Sequence, residues 1–405
     1  MPTHASPSDA RRRLGFTLGG VAATLMMAGA SAPSPFYPVL QERLALGTMG
    51  VSIAFAIYAV ALLLALLTVG SISDHIGRRP VVSIGFVMLA AGLALVWLAD
   101  TGATLYAGRI LQGLASGLVV PALSAAITDF APADSPRRAT LLNTLAPTLG
   151  LAIGAVGAGL VLDLAGDEPT AAALTFGPLV AVYLLVAAAI WLVPETSSRE
   201  QGWLRSLQPR ASVPQPARRL FGISVPIVLG GWATGGLFLS LGSSIVHAEL
   251  HVDSQLGAGL LIGLLPATGA AAAFVMHNRR PIVSAVYGAS ALAVGTAIMV
   301  LALALNSLPI YVVAVVVAGT GFGTAFMGTI GSLMPLAAVH ERAELFAALY
   351  IVAYLSFGVP AVIAGVLATV YGLHLTVLIF GTVVALAAGT AAVLRARAGT
   401  VSLQS

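Results

Sequence analysis

Long apolar segments alternate with short polar ones along the whole chain. A transmembrane helix needs about 20 consecutive residues that are predominantly apolar, and a window of that width identifies twelve such segments. They cover residues 14–38, 48–72, 80–99, 103–128, 139–162, 171–193, 219–246, 256–276, 281–304, 308–333, 343–368 and 371–394. The pattern therefore predicts an all-α membrane protein that crosses the bilayer about twelve times.

The composition agrees with this pattern and excludes several classes of site. Hydrophobic residues make up 58% of the chain and charged residues only 8%, with a mean hydropathy of +0.98. A soluble domain carries about 25% charged residues, so this chain is too apolar to cover a surface in water. It contains no cysteine, which excludes disulfides, thiolate metal sites and cysteine nucleophiles. Its basic residues are scattered between the spans, which argues against a nucleic-acid partner.

The positions of the arginines predict the orientation. Arginines are enriched in the cytoplasmic loops of membrane proteins. If the N-terminus is cytoplasmic, 17 of the 19 basic residues fall in segments on that side. These are Arg11, Arg12, Arg13, Arg78, Arg79, Arg137, Arg138, Arg199, Arg205, Arg210, Arg218, Arg219, Arg279, Arg280, Arg342, Arg395 and Arg397. A cleavable signal peptide ending near Ala30-Ser31-Ala32 is an alternative interpretation of the first span, and it would leave eleven spans.

The two halves of the chain resemble each other at an offset of about 201 to 206 residues. Arg78-Arg79-Pro80 follows span 2, as Arg279-Arg280-Pro281 follows span 8, and Gly113 matches Gly319. Parallel repeats of this kind are typical of transporters. We expect one bundle at 1–194, a cytoplasmic central loop at 195–218 and a second bundle at 219–405.

The loop after span 2 has a distinctive glycine and acid pattern. Its residues are Gly70, Asp74, Gly77, Arg78 and Arg79. A positive-inside loop explains the arginines but not the spacing of the glycines and the aspartate. The pattern resembles the signature of the major facilitator superfamily, with Ile72 in place of a leucine and His75 in place of an arginine.

The resemblance covers the whole chain and has several implications. It implies two pseudo-symmetric six-helix bundles and transport of a small molecule by alternating access. It also implies that the loop is a gating motif that latches the two bundles in the outward-open state. The expected partners of this latch are Asp129, Arg342 and Glu344.

Span 4 carries a buried-charge pattern. Arg109, Gln112 and Gly113 resemble the family's R-x-x-Q-G motif, which is linked to proton coupling. An ionisable residue inside a span is costly and is a functional-site hypothesis by default. The alternative is an arginine that reaches the outer interface. We expect Arg109, Gln112, Gly113 and Asp129 to serve coupling or substrate binding.

The acidic residues narrow the class of substrate. None of the 15 lies in the middle of a span, whereas a pump for organic cations would want a buried carboxylate. The substrate is therefore predicted to be anionic, zwitterionic or neutral and polar. A partial glycine-proline motif around Pro147 in span 5 resembles that of the family's proton antiporters and favours export. Asp129 and His247 are the nearest candidates to carry a coupled proton.

Spans 1, 4, 7 and 10 line the cavity in the family, and neighbouring spans add to it. Polar and aromatic candidates on these spans, each of which could instead be a helix–helix hydrogen bond, are Ser31, Ser34, Tyr37, Tyr58, Ser116, Asn143, Trp232, Thr234, Ser240, Thr320, Tyr350 and Tyr354.

The leading hypothesis is a proton-coupled exporter that works as a monomer in the cytoplasmic (inner) membrane of a bacterium, with both termini cytoplasmic. An uptake permease for a nutrient or vitamin is the alternative within the same class. A membrane-embedded enzyme would need a catalytic constellation near the lipid interface, and no such pattern stands out. We expect a small-molecule substrate, membrane lipid as the surroundings, and no cofactor beyond a proton gradient.

Overall fold

The structure is a computed structural model, and it describes residues 9–132, 136–199, 207–208, 211–338 and 341–401. Arg205 and Arg210 of the expected central loop lie outside these residues. Twelve long helices run through the described part of the chain, each long and apolar enough to cross a membrane. The sequence prediction of twelve spans and an all-α fold is thereby confirmed.

The helices are numbered in chain order. They are α1 (Asp9–Ser31), α2 (Thr48–Val69), α3 (Arg78–Trp97), α4 (Gly102–Phe130), α5 (Pro136–Leu164), α6 (Glu168–Ala189), α7 (Gln215–Leu250), α8 (Gln255–Met276), α9 (Pro281–Ala304), α10 (Leu308–Leu333), α11 (Arg342–Tyr371) and α12 (Leu373–Val401).

Two of the differences from the predicted span bounds change a connection between spans. The first helix ends at Ser31 rather than at residue 38, because Pro33 and Pro35 cannot donate the backbone hydrogen bonds that would continue it. A short helix at Tyr37–Arg43 follows. Helix α7 begins at Gln215, inside the segment assigned to the central loop, and is 36 residues long.

The same helix pairs form in both halves. In the first half α2 and α3 pack on α4, α1 packs on α5 and α3 packs on α6. In the second half the pairs six positions later meet: α8 and α9 pack on α10, α7 on α11 and α9 on α12. The duplicated sequence thus builds two six-helix bundles of equivalent packing, each around its own apolar core.

The twelve antiparallel helices give the molecule two faces. We call the face that holds the start of α1 and the loops after α2, α4, α6, α8 and α10 the arginine-rich face. One contact that places these segments together is the hydrogen bond from Arg12 Nη2 to the Ala131 carbonyl at 3.2 Å. On the opposite face, Arg43 contacts Glu168 at 2.5 Å and the Ala99 carbonyl at 2.9 Å.

Candidate functional site

The two halves meet along two helix pairs, α5 with α8 and α2 with α11. The close contacts lie toward the opposite face. A Cβ on Gly259 would lie 2.6 Å from the Ala155 carbonyl oxygen and 3.2 Å from the Cα of Gly159, so only glycine allows α5 and α8 to approach this closely. Phe55 of α2 and Phe357 of α11 bring their ring centroids to 4.7 Å. These contacts form a seam that joins the halves.

A carboxylate fastens the α5–α8 part of this seam. Asp163, at the end of α5, accepts hydrogen bonds from Ser254 Oγ at 2.6 Å and from the backbone N–H of Gln255 at 2.7 Å and Leu256 at 3.0 Å. These groups form the N-terminus of α8 in the other half. Free N–H groups and the helix dipole make such a terminus a favourable place for a negative charge. Asp163 therefore ties one half to the other at the opposite face.

Aromatic rings fill the space beside the seam. Trp232 of α7 lies 5.4 Å from Phe326, 5.0 Å from Tyr354 and 5.6 Å from Phe357 between ring centroids. Tyr350 lies 5.9 Å from Tyr354. We call these five residues the aromatic cluster.

The aromatic cluster has two properties of a binding surface. The hydroxyls of Tyr350 and Tyr354 make no hydrogen bond with any residue that the structure describes. Tyr354 and Phe357 also belong to the same buried hydrophobic group as Phe55 and Tyr58 of the first half. Both halves therefore contribute rings to one aromatic region.

Arg109 is buried in the first half, next to this region. Only 1% of it is exposed, seven residues after the start of α4, which is roughly 10 Å along a helix axis. Its Nη1 donates to Gln112 Oε1 at 2.9 Å, and its Nε donates to the Ala54 carbonyl at 3.3 Å. Its guanidinium carbon lies 4.4 Å from the centroid of the Tyr58 ring. The arginine is therefore covered by α2 and does not reach the outer interface.

The other members of the span 4 pattern support this arrangement. A Cβ on Gly113 would collide with the Tyr58 carbonyl oxygen, so glycine lets α4 approach α2 closely enough for Arg109 to reach the Tyr58 ring. The Tyr58 hydroxyl donates to Ser116 Oγ at 3.3 Å. No described carboxylate pairs with Arg109, so the ring and the neutral oxygens stabilise its charge.

The gating motif lies on the arginine-rich face and forms a network within the first half. Arg78 pairs with Asp74 and its Nε lies 3.6 Å from Asp129 Oδ2. Thr196 Oγ1 donates to the same Asp129 oxygen at 2.7 Å. The structure thus brings together Asp74 of the loop after α2, Arg78 at the start of α3 and Asp129 near the end of α4.

A second carboxylate holds the start of α3. Gly77 has φ +112°, a conformation that favours glycine, and Gly70 immediately follows α2. The turn at Gly77 exposes two backbone N–H groups to Glu195, from Arg78 at 2.8 Å and Arg79 at 3.1 Å. The start of the central loop is thereby fixed to the first half.

The remaining expected latch partners have other contacts. Glu344, in the first turn of α11, accepts from Ser212 Oγ at 2.5 Å. Arg342 donates through Nε to the Ala337 carbonyl at 3.4 Å. The contacts described for Asp74 and Arg78 all lie within the first half and the loop that follows it. The latch between the two halves therefore stays a prediction, and it concerns the outward-open conformation.

Several candidate cavity residues form helix–helix or intrahelical hydrogen bonds instead. Ser31 Oγ donates to the Leu151 carbonyl at 2.8 Å and Asn143 Nδ2 to the Ser124 carbonyl at 3.3 Å. Thr320 accepts from the Tyr287 hydroxyl at 3.1 Å, which places it against α9. Thr234 and Ser240 are buried and bond within α7. Ser34 and Tyr37 are buried after the end of α1.

One arginine that the sequence analysis assigned to a cytoplasmic segment packs against α7 and is buried. Arg395 lies within α12 with 0% exposed. Its Nη1 donates to Ser224 Oγ of α7 at 3.2 Å, while its Nε and Nη2 have no partner among the described residues. Hydropathy alone cannot tell a buried arginine at a helix end from one that reaches water.

Sequence reasoning also missed Asp163, Glu195, Phe326 and Phe357. A signal for the aromatic residues was present, because Phe346, Tyr350 and Tyr354 repeat every four residues along one face of α11. The two acids carried no such signal, since their partners are backbone groups of distant helices.

Comparison with known proteins finds sequences that are similar to this chain. A model described as the Major Facilitator Superfamily matches residues 19–358. A segment of 93 residues is 36% identical to the multidrug resistance protein MdtL of Escherichia coli O45:K1 (strain S88 / ExPEC) and 34% identical to that of Escherichia coli O139:H28 (strain E24377A / ETEC). This segment covers 23% of the chain and 23% of each relative.

Solved structures resemble the whole chain at low identity. The human organic anion transporter MFSD10 (TETRAN) superposes with a TM-score of 0.68 at 15% identity, covering 95% of this chain and 100% of that one. A bacterial homologue of the human lysosomal transporter Spinster, in an inward-facing and unoccupied conformation, gives 0.75 at 14% identity, covering 96% and 98%. These likenesses show the fold.

Proposed function

Because the chain belongs to the Major Facilitator Superfamily, we propose that it is a secondary transporter that works by alternating access and exports its substrate in exchange for protons. The substrate is an anionic, zwitterionic or neutral polar compound with a planar apolar body. The protein is a multi-pass membrane protein, and we place its arginine-rich face in the cytoplasm of a bacterial cell.

One observation carries the proposal. The halves are joined at the opposite face by the Asp163–α8 contact and the close α5–α8 packing, while a cavity of about 410 Å³ opens between the halves at the arginine-rich face. Two halves that are joined at one face and parted at the other are the arrangement that alternating access requires. With the arginine-rich face cytoplasmic, this is the inward-facing state, as in the Spinster homologue.

The class of substrate follows from the aromatic region. The rings of Trp232, Tyr354 and Phe357 offer faces and edges to a planar apolar body, and the unpaired tyrosine hydroxyls offer hydrogen bonds to its polar group. Arg109, behind Tyr58, contributes a positive charge that no described carboxylate neutralises. The multidrug and organic anion transporters among the similar proteins agree with such a compound.

Flux measurement tests the function directly. The purified protein is reconstituted into liposomes under an imposed pH gradient, and two xanthene dyes of similar planar shape are compared: carboxyfluorescein, an anion, and rhodamine 6G, a cation. We expect the anion to move opposite to the protons and the cation to move far more slowly. Faster flux of the cation would contradict the proposed substrate class, and flux insensitive to the gradient would contradict proton coupling. Transport only in the direction of proton flow would favour the uptake permease.

A pair of substitutions tests the aromatic cluster. Trp232→Ala removes the ring that contacts three others, and we expect the KM for the transported dye to rise about tenfold, because an aromatic pair contributes about 0.5–1.5 kcal/mol beyond its buried area. Trp232→Phe keeps an aromatic face and should change KM little. Equal KM values for the two variants would show that the ring does not contact the substrate.

A further inference from the structure

The cavity at the arginine-rich face has an apolar wall. It lies between the ends of α5, α8, α9 and α10, and its apolar lining includes Leu141, Met276, Met327 and Ile330. Its volume of about 410 Å³ is within the range of roughly 300–1,000 Å³ that is usual for small-molecule sites. No residue of the aromatic cluster lines it, so it is a separate binding surface.

The rim of the cavity is polar and positively charged. His277, Asn278 and Arg279, from the loop between α8 and α9, line it, and none of the described lining residues is acidic. The guanidinium of Arg279 forms no ion pair or hydrogen bond with any residue that the structure describes. His277 is held through Nδ1 against the Phe274 carbonyl at 2.5 Å, which leaves its Nε2 directed elsewhere.

A buried hydroxyl in the same wall lacks a partner. Ser284, in the first turn of α9, is 1% exposed and lines the cavity. Its Oγ has no hydrogen bond within the described structure. A buried polar atom without a partner costs free energy that a ligand atom can recover by accepting or donating a hydrogen bond. The Ser284 hydroxyl is therefore available to bond a ligand below the cationic rim.

From these observations we propose that the cavity binds the anionic head group of an amphiphile. Arg279 pairs with the anion, the Ser284 hydroxyl donates a hydrogen bond to the ligand, and the methionine and leucine side chains contact its hydrocarbon. A guanidinium without an internal carboxylate partner is well suited to a carboxylate or phosphate. Such a head group belongs either to a soluble organic anion that enters from water or to an anionic phospholipid of the adjacent leaflet.

The test measures ligand binding and not transport, so its outcome does not depend on the function proposed above. The chain has no cysteine, so Asn278→Cys places a single thiol at the rim. The rate of maleimide labelling is measured in phosphatidylcholine nanodiscs against increasing octyl phosphate. Octyl glucoside, with the same chain and no charge, is the control ligand. We expect octyl phosphate to protect the thiol and octyl glucoside to protect it much less.

Matched variants identify the cation. In the Asn278→Cys background, Arg279→Gln should weaken protection by octyl phosphate about tenfold, the size expected for loss of one charge-assisted contact. Arg280→Gln removes the neighbouring charge, which does not line the cavity, and should leave protection nearly unchanged. Ser284→Ala should weaken it about threefold. Both arginines are exposed, so neither change is expected to prevent folding.

The same assay separates the two sources of the ligand. Protection by phosphatidylglycerol in the nanodisc alone, lost in Arg279→Gln, would identify a phospholipid head group and uphold the site. Protection by octyl phosphate but not by the lipid would uphold it for soluble anions. The proposal is overturned if neither anion protects, if octyl glucoside protects equally, or if Arg280→Gln weakens protection as much as Arg279→Gln.

Discussion

The loop that joins α2 to α3 and the loop that joins α8 to α9 hold equivalent places in the two halves, and both end in Arg-Arg-Pro. In the first loop, Arg78 pairs with Asp74 and lies near Asp129. In the second, Arg279 has no such partner in the part of the chain that the structure describes, and it lines a cavity. The same pair of arginines thus joins a structural network in one half, whereas in the other half we propose that its first arginine binds a ligand.

The two buried arginines differ in a related way. Arg109 of the first half bonds to Gln112 and Ala54 and stacks on Tyr58. Among the described residues, Arg395 of the second half bonds only to Ser224 and leaves Nε and Nη2 unpaired. A buried charge whose hydrogen bonds are made can be retained for function, whereas one that is poorly paired mainly costs stability. Arg109 therefore has more of its hydrogen bonds made than Arg395.

The largest effect that would test this comparison is expected from replacing each buried arginine with methionine. Arg109→Met should lower dye transport at least about tenfold, because it removes the charge and leaves the Gln112 and Ala54 oxygens without their donor. Arg395→Met should leave transport intact and raise stability by roughly 1–3 kcal/mol, as replacing poorly paired buried ions often does. Flux in liposomes and thermal unfolding in detergent measure the two outcomes.

If Arg395→Met abolished transport in a folded protein, the proposed difference between the two arginines would be wrong. The isosteric Tyr58→Phe, which keeps the ring under Arg109, is the control for the first half and should change transport far less than Arg109→Met.

An intermediate effect is expected at the seam. Asp163→Asn removes the charge that caps α8 across the two halves, at a cost of about 1 kcal/mol for a helix cap. This should raise the fraction of molecules in the conformation that is open to the opposite face about fivefold. Ser52→Cys is an almost isosteric probe, since Ser52 is buried in α2 against Gly365 of α11. Its labelling by a water-soluble maleimide should accelerate by about that factor.

The matched control for the seam is Asp167→Asn. Asp167 accepts from the Thr170 N–H at 2.9 Å and caps α6 within its own half. In the Asp167→Asn variant, Ser52→Cys should be labelled at the same rate as in the protein that keeps Asp167. Equal acceleration by both variants would mean that Asp163 acts only through local stability and not by joining the halves.

The smallest effect concerns the loop that lacks an acid. Val275 lies four residues before Arg279, as Asp74 lies before Arg78, and 74% of its surface is exposed. Val275→Asp should weaken the binding of octyl phosphate about threefold, since an exposed ion pair contributes up to about 1 kcal/mol. Val275→Asn adds polarity without charge and should have little effect. Equal affinities for the two variants in the labelling assay would contradict a role for the unpaired charge.

The sequence predicted some features of the site because their signals are local. The loop motif located Asp74, Gly77 and Arg78, and the family pattern in span 4 located Arg109 and Gln112. The polar cavity candidates have no comparable local signal. Ser31 and Thr320, for example, are polar residues on expected cavity helices, but hydropathy does not show which side of a helix faces its neighbours, and both bond to adjacent helices.

By itself, the sequence determined the twelve spans, the duplicated halves and the family, because span length, charge distribution and motif spacing are properties of contiguous residues. The tertiary structure decided which acids meet which arginines, where Asp163 and Glu195 cap distant helices, and that Arg395 is buried. Its packing also brought rings of α2, α7, α10 and α11 into one region. These contacts join residues as far apart in the chain as Phe55 and Phe357, and their partners depend on how whole helices pack. No local pattern in the chain encodes that packing.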